Sequence, residues 1–496
     1  MFRIFAGLVL VVLVLAGVVV GRTLMVPAYQ ASSAVAPASK FDAAAMALHL
    51  SEAVKFRTIS WQQGADPADV AASQAAFVAF RDWIAATYPQ FSKVATREIV
   101  SDYSLLFAWA GSDPSLKPIL LMSHMDVVPI APGSEGNWTH APFAGDIADG
   151  YVWGRGTMDT KGGIIGMLEA AEALAATGFN PKRTILFAFG HDEEKGGHDG
   201  NEKIAALLAS RNIKLEFVDD EGGVVANGLV PGIAAPVALL GVAEKGYVTL
   251  ELTAHSPGGH SSLPPPVHET AIGRLARAIV RVGEAPFESK IDGIARDQLL
   301  QLMPAMPFAN RMAIANLWLF DPFVVRTMNG TPAGGSSLHT TIAPTIISGG
   351  VKENVMPPEA KASINFRIHP RDTITSIAEH VRKAIDDDQV DIKVVPNGRE
   401  ASPVSNVAGP QFAFVRRALE KIMPGVIVAP NLVSGGTDSR YYQPLTDNVF
   451  RMVPAVMGPD DLKGFHGTNE RWPVTSMSAI ADFYTALMSS YDSEKE

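Results

Sequence analysis

The sequence predicts an α/β protein in which a mostly parallel-sheet domain is interrupted by a smaller α+β domain. Three observations predict it. Short apolar runs at 119–122, 184–189, 214–218 and 449–453 end abruptly in polar clusters, as buried strands do. Helical spacing at 164–176 and 203–210 lies between them, and strands alternating with helices form parallel sheets. Near Glu244 the pattern changes. Residues 247–254 and 360–368 alternate like half-buried strands, with helices expected over 269–282 and 374–385.

The elements follow in order. Residues 4–21 are 18 uncharged, mainly apolar residues between Arg3 and Arg22. As a helix they would reach roughly 27 Å, close to the thickness of a bilayer core. The run exceeds an ordinary signal-peptide core, yet small-residue sequences follow at 34–38. Residues 1–26 are therefore a membrane anchor or a signal segment, with the body outside the cytoplasm, or secreted or periplasmic after cleavage. Residues 27–40, rich in Ala, Ser and Pro, read as a linker. The larger domain spans 41–243 and 398–496, and the inserted one 244–397. Helical spacing at 41–58 and 68–88 opens the body, and 411–423 and 474–491 close it. A length of 496 residues suits two domains.

Composition excludes several classes. Hydrophobic residues are 47% and charged residues 19%, too rich a core for a disordered chain. The net charge of -10 argues against a nucleic-acid binder. Cysteine is absent, which removes disulfides, thiol nucleophiles and thiolate metal sites. Any bound metal must be held by His and carboxylate.

The chemistry-bearing residues cluster just after expected strands, where α/β sheets collect functional groups. His124 and Asp126 share one face of an extended chain, so the acid can brace the imidazole. Asp159 is the only carboxylate of the glycine-rich stretch 154–163. A phosphate loop fits that stretch poorly, because it lacks the Walker pattern and an acid would face the phosphate. Glu193 and Glu194 are adjacent, so one can hold a cation while the other moves a proton. Asp220 and Glu221 follow the next strand, and His466 lies near the C-terminus. Each cluster alone is ordinary surface chemistry. Together, two His and at least three carboxylates suit zinc, cobalt or manganese.

The motifs at 123–129 (Ser-His-Met-Asp-Val-Val-Pro), 154–163, 192–194, 220–223, 258–262 and 435–438 occur in one order. With them the body, 41–491, resembles the zinc-dependent aminoacylase, acetylornithine deacetylase and carboxypeptidase S family of co-catalytic metallopeptidases. The nearest branch is that of carboxypeptidase S and the N-fatty-acyl-amino-acid hydrolases. The resemblance implies a catalytic domain with an inserted lid and dimerisation domain, two zinc ions per chain, and a homodimer. It implies that His124 and Glu221 hold one zinc, Glu194 and His466 the other, and that Asp159 bridges them. Asp220 remains an alternative to Glu221. Glu193 would be the general base acting on a metal-bridging hydroxide, and Asp126 would orient His124. His260 would reach across a dimer to the scissile carbonyl. Asn354, Arg367, Gly435 and Gly436 would receive the substrate carbonyl and carboxylate.

The expected activity is cleavage of an amide beside an amino acid with a free carboxylate. The substrate is an N-acyl amino acid or a short peptide; a dipeptidase, or a non-catalytic tethered binding protein, is the alternative. Met303, Met306, Phe308, Leu317, Trp318, Phe320 and Phe323 form either a greasy acyl site or ordinary core and a dimer face. His191, His198, His255, His268, His339, His369 and His380 match no ligand position and are expected at the surface or supporting other residues.

Overall fold

A computed structural model describes residues 2–30, 32 and 34–492. The ends of the outer segments of the predicted division, residues 1 and 493–496, lie outside the described residues. The central feature is a ten-stranded mixed sheet. Its middle strands, Ile185–Gly190, Ile119–His124, Phe217–Asp220 and Val449–Arg451, lie side by side and run parallel. A hairpin, Ala95–Val100 and Ser104–Trp109, adds antiparallel strands at one edge. On the other side Val237–Glu244 pairs in parallel with Ile427–Val433. All six residues of Ile119–His124 and of Ile185–Gly190 are buried, because helices cover both faces. Gly162–Ala176 and Met477–Ser489 pack together in one of these layers. Gly166 allows their close approach: a Cβ there would lie 2.2 Å from the Ile480 side chain.

The chain leaves this sheet after Glu244 and enters a second, antiparallel one at Gly246. Its order is Thr341–Gly349, Glu359–Ile368, Gly246–His255, Val390–Val394. Gly246–His255 alternates strictly between buried and half-buried residues, as the sequence period predicts. Helices Ala271–Glu284 and Ile374–Ile385 cover the buried face through Leu275, Val282, Ile377 and Val381.

The run 286–345, left without elements by the sequence reading, contains four helices: Gly293–Leu302, Phe308–Ala315, Leu317–Asn329 and Pro332–Leu338. Met303, Met306, Leu317 and Phe320 pack against their common core of Ile291, Leu299, Ile314, Val324 and Leu338. Phe308, Trp318 and Phe323 are exposed. Of these seven residues, four pack against this core and three face outward. The strand expected at 214–218 begins later, at Phe217, so Asp219 and Asp220 lie within it and not in the following loop.

Candidate metal centre

Three parallel neighbours bring their carboxyl ends to one edge of the sheet. His124 closes Ile119–His124, Glu193 and Glu194 form a turn after Ile185–Gly190, and Glu221 follows Phe217–Asp220. Asp159 arrives from the loop before Gly162–Ala176, and His466 from a loop near the C-terminus.

Asp159 lies between the two imidazoles. Its Oδ1 is 2.9 Å from His124 Nε2 and its Oδ2 is 3.1 Å from His466 Nε2. His124 Nε2 also lies 3.1 Å from Glu221 Oε1, and His466 Nε2 3.2 Å from Glu194 Oε2. A tetrahedron with bonds of about 2.05 Å to its ligands has edges of roughly 3.3 Å. The spacings are of the size that ligands of one cation require, and two groups of side chains, His124 with Glu193 and Glu221, and His124 with Asp159 and Glu194, lie close enough to hold a metal ion. Glu194 Oε1 is buried without a hydrogen-bond partner, which also suits a cation at this edge.

Asp126 organises the edge. His124 Nδ1 is 2.9 Å from the Asp126 carbonyl and 3.3 Å from its carboxylate, which leaves Nε2 as the free donor. The same carboxylate accepts the backbone N–H of Glu193 and of Glu194, each at 3.1 Å, and the Ser60 hydroxyl at 2.5 Å. Burial opposes ionisation of Asp126, but the bonds from His124 and Ser60 outweigh it and hold its pKa below the usual carboxylate value. Burial, with Asp438, Glu221 and Glu194 nearby, drives Glu193 well above the usual range despite His124. Burial, aided by Asp159, pushes Glu221 up to about 8. Cations at this site would relieve that repulsion.

Adjacent Asp220 and Glu221 point to different sides. Asp220 accepts the Ser439 N–H at 3.1 Å, and among the described residues no hydrogen bond or ion pair joins it to either imidazole. It belongs to a buried network around Glu244, which meets Arg451 Nε at 2.6 Å and Thr437 N at 3.0 Å.

The other expected residues fall in separate places. Arg367 stacks 5.1 Å over the Tyr247 ring. His260 and Asn354 lie together at an exposed antiparallel pairing of two short strands in the second domain, Gly259–His260 and Val355–Met356, where Ser261 N donates to the Asn354 carbonyl. Ser262 bonds His260 Nδ1. Among the described residues, no hydrogen bond or ion pair joins His260 or Asn354 to the cluster. Gly435 is exposed, and Gly436 abuts the Arg399 guanidinium. Of the remaining histidines, His369 is buried and not at the surface.

Two residues escaped the sequence reading. Glu470 is fully buried and accepts Arg155 Nη1 at 2.5 Å and the N–H groups of Gly156, Met158 and Asp159 at 2.9, 2.9 and 3.2 Å. It holds the loop that carries Asp159. A buried Arg155 demanded a partner, which was the one available signal. Arg399 is paired in both directions with the Tyr247 backbone and lies in the field of Glu193 and Glu244.

A mixed sheet whose parallel middle strands carry His and carboxylate groups to their carboxyl ends is the arrangement that a metal-dependent hydrolase uses. Residues 120–490 match Peptidase family M20/M25/M40, and the chain belongs to that family. It is a hydrolase of the metallopeptidase and aminoacylase type. It is 38% identical over 452 residues to a probable carboxypeptidase S-like protein of Dictyostelium discoideum, covering 89% of this chain and 84% of that one. It is also 38% identical over 403 residues to the human N-fatty-acyl-amino acid synthase/hydrolase PM20D1, covering 80% and 79%. The fold is similar to the M20 metallo-carboxypeptidase Sso-CP2 of Sulfolobus solfataricus, with TM-score 0.63, 16% identity and coverage of 90% and 99%. A dinuclear metal-binding M20 peptidase of Bacillus subtilis gives TM-score 0.54 at 12% identity, covering 90% and 98%.

Proposed function

We propose that the chain is a two-zinc amidohydrolase releasing an amino acid with a free carboxylate from an N-acyl amide. The carrying observation is the position of Asp159 between His124 and His466, at 2.9 and 3.1 Å. His124, Glu221 and one Asp159 oxygen would hold one ion; His466, Glu194 and the other oxygen would hold the second. Bound zinc would lower the pKa of water and polarise the scissile carbonyl. Glu193 would take the proton from that water and hand it to the leaving amine. Asp126 would keep His124 and both glutamates in place. Arg367 and Arg399 would receive the substrate carboxylate, with Gly435 and Gly436 lending backbone N–H groups, and arginine suits that task through its planar fork. His260 and Asn354 would complete the site from the inserted domain of a second copy. The edge strand Thr341–Gly349, with Ile346 and Ile347 64% and 67% exposed, is our candidate dimer edge.

We read Phe2–Leu24 as a membrane anchor. Within it, 22 residues have a mean hydropathy of 3.0 over their best window, of which 6% is buried in the protein.

The similarity to fatty-acyl hydrolases favours an N-fatty-acyl amino acid as substrate. The test is release of free amino acid from N-lauroyl, N-acetyl and dipeptide compounds, before chelation, after it, and after zinc return. Zinc-restored cleavage of the lauroyl compound is expected. Zinc-dependent cleavage of dipeptides alone would make the chain a dipeptidase, and none with zinc bound would remove the catalytic reading.

A further inference from the structure

The helix Phe2–Leu24 meets the body only through its end. Among its described residues Val19 and Thr23 alone are buried. Both face the four-helix insertion. Asn316 Nδ2, itself fully buried, donates to the Val19 carbonyl at 3.1 Å and to Thr23 Oγ1 at 3.3 Å. Arg22 Nε donates to the Ala315 carbonyl at 3.4 Å. The chain beyond is fastened as well, with Tyr29 N donating to the Pro304 carbonyl at 2.9 Å.

Val19 is two residues inside the apolar run that ends at Gly21, which is about 3 Å along a helix axis. A partner hydrogen-bonded to Val19 cannot stand clear of any bilayer this helix spans. Asn316 begins the helix Leu317–Asn329, so that helix is held at head-group depth.

The outward face of this helix is built for such a place. Trp318 is 56% exposed, Leu319 39% and Phe323 64%. Leu319, Pro322, Phe323 and Arg326 recur at the spacing of one helical face. A groove of about 520 Å³ between the two parts is lined by Arg22 and Arg296 together with Met25, Leu300, Met303 and Trp318. Asp297 and Asp321 on the same helices are half-buried, while Arg296 and Arg326 are exposed. Tryptophan and arginine beside exposed aliphatic residues are the composition of a membrane–water boundary.

We propose that the outer face of Leu317–Asn329 lies in the membrane interface and takes anionic lipid head groups beside Arg22 and Arg296. The inference rests on reading Phe2–Leu24 as a spanning helix. It gives the body two points of attachment, so the enzyme is held in one orientation against the lipid that would carry an acyl substrate. Ile346 and Ile347, on the edge strand Thr341–Gly349, leave a separate surface for a second copy.

The experiment uses the full chain reconstituted in vesicles of phosphatidylcholine and phosphatidylglycerol. Flotation reports anchoring. Trp318 emission is taken as the difference between the protein and Trp318→Phe, since the chain has 7 Trp. It is read in vesicles whose phosphatidylcholine chains are brominated near the head group. The expected result is flotation with Trp318 emission quenched about twofold or more, and less quenching in Phe323→Asp. Flotation without quenching overturns the docking and leaves the anchor standing. Failure to float overturns both. Unquenched Trp318 that becomes shielded from acrylamide as protein concentration rises would assign the face to a second copy, and also overturns the proposal.

Discussion

The guanidinium of Arg399 fills the space that a side chain at position 436 would need. A Cβ on Gly436 would lie 1.7 Å from Arg399 Nη2. The Arg399 backbone is fixed, its N–H donating to the Tyr247 carbonyl at 2.7 Å and its carbonyl accepting from Tyr247 N–H at 2.8 Å, so any room must come from swinging the guanidinium itself. Tyr247 also carries Arg367 on its ring. Gly436→Ala should displace Arg399 and raise KM for an N-acyl amino acid by roughly 10–100-fold, the worth of a charged hydrogen bond. Arg399→Lys should not restore it, since one ammonium cannot replace a fork. Steady-state kinetics on the acid and its methyl ester would decide. Equal losses on both would mean that Arg399 does not serve the carboxylate.

Glu193 and Glu194 hang from one carboxylate, Asp126, yet their side chains diverge. Glu194 meets His466 at 3.2 Å and lies with His124 and Asp159, whereas Glu193 lies with His124 and Glu221. Glu193→Gln should cut kcat by about 10²–10⁴ with metal content intact. Glu194→Gln should lose about one metal equivalent, because an amide is a weak ligand. Plasma mass spectrometry of the purified variants, beside kcat, separates the roles. Loss of metal in Glu193→Gln would sink the assignment of the base.

Asp220 and Glu221 make the same contrast on a strand end, where successive side chains face opposite ways. Glu221→Gln should lose metal. Asp220→Asn should keep it and instead loosen the Ser439 turn, lowering resistance to denaturant. Metal titration of both variants, with urea unfolding, distinguishes them. Reversed outcomes would make Asp220 the ligand.

The middle strands of the large sheet, the strands near 247–254 and 360–368 and the helices beside them were legible because burial imposes periods of 2 and 3.6 residues, whereas the edge hairpin at 95–109 and the strands Val237–Glu244, Thr341–Gly349 and Ile427–Val433 were not picked out. Six of the residues brought to this edge, His124, Asp126, Asp159, Glu193, Glu194 and Glu221, stood out in the sequence because they end or follow strands or sit in a glycine-rich loop, whereas His466 stood out only through the family resemblance. The insertion's helices were not legible, since Pro322 interrupts one of them and Gly334 and Gly335 dilute another. Arg399 and Glu470 were invisible for a different reason. Each acts through partners more than 100 residues away in sequence, Tyr247 and the Asp159 loop, and neither carries a local motif.

Glu470 offers the sharpest test of that hidden support. Three backbone N–H groups and Arg155 converge on one fully buried carboxylate. Glu470→Gln would turn an N–H toward donors and leave Arg155 buried without its counter-charge. The expected cost is about 3–5 kcal/mol in urea unfolding, with weaker metal binding because Asp159 loses its support. An unchanged unfolding midpoint would remove Glu470 from this role.

His369 sets one part of the response to acid. It is 7% exposed, and burial first, then Arg371 and Lys245, push its pKa down to about 3. In the unfolded chain the ordinary value is about 6.5. Above pH 6.5 both states are neutral at this residue and it contributes no slope. Between about 6.5 and 3 the unfolded chain binds a proton that the fold refuses, so stability falls as the pH drops, by up to roughly 1.4 kcal/mol per unit. His369→Asn keeps an acceptor for the Arg371 N–H, which His369 Nδ1 accepts at 3.3 Å, and removes the titration. Urea midpoints of protein and variant, compared over roughly pH 7 to 4, should diverge, with the variant losing less stability in acid. Metal release affects both chains alike, so the difference isolates the one imidazole. Parallel curves would mean that His369 takes up its proton without unfolding.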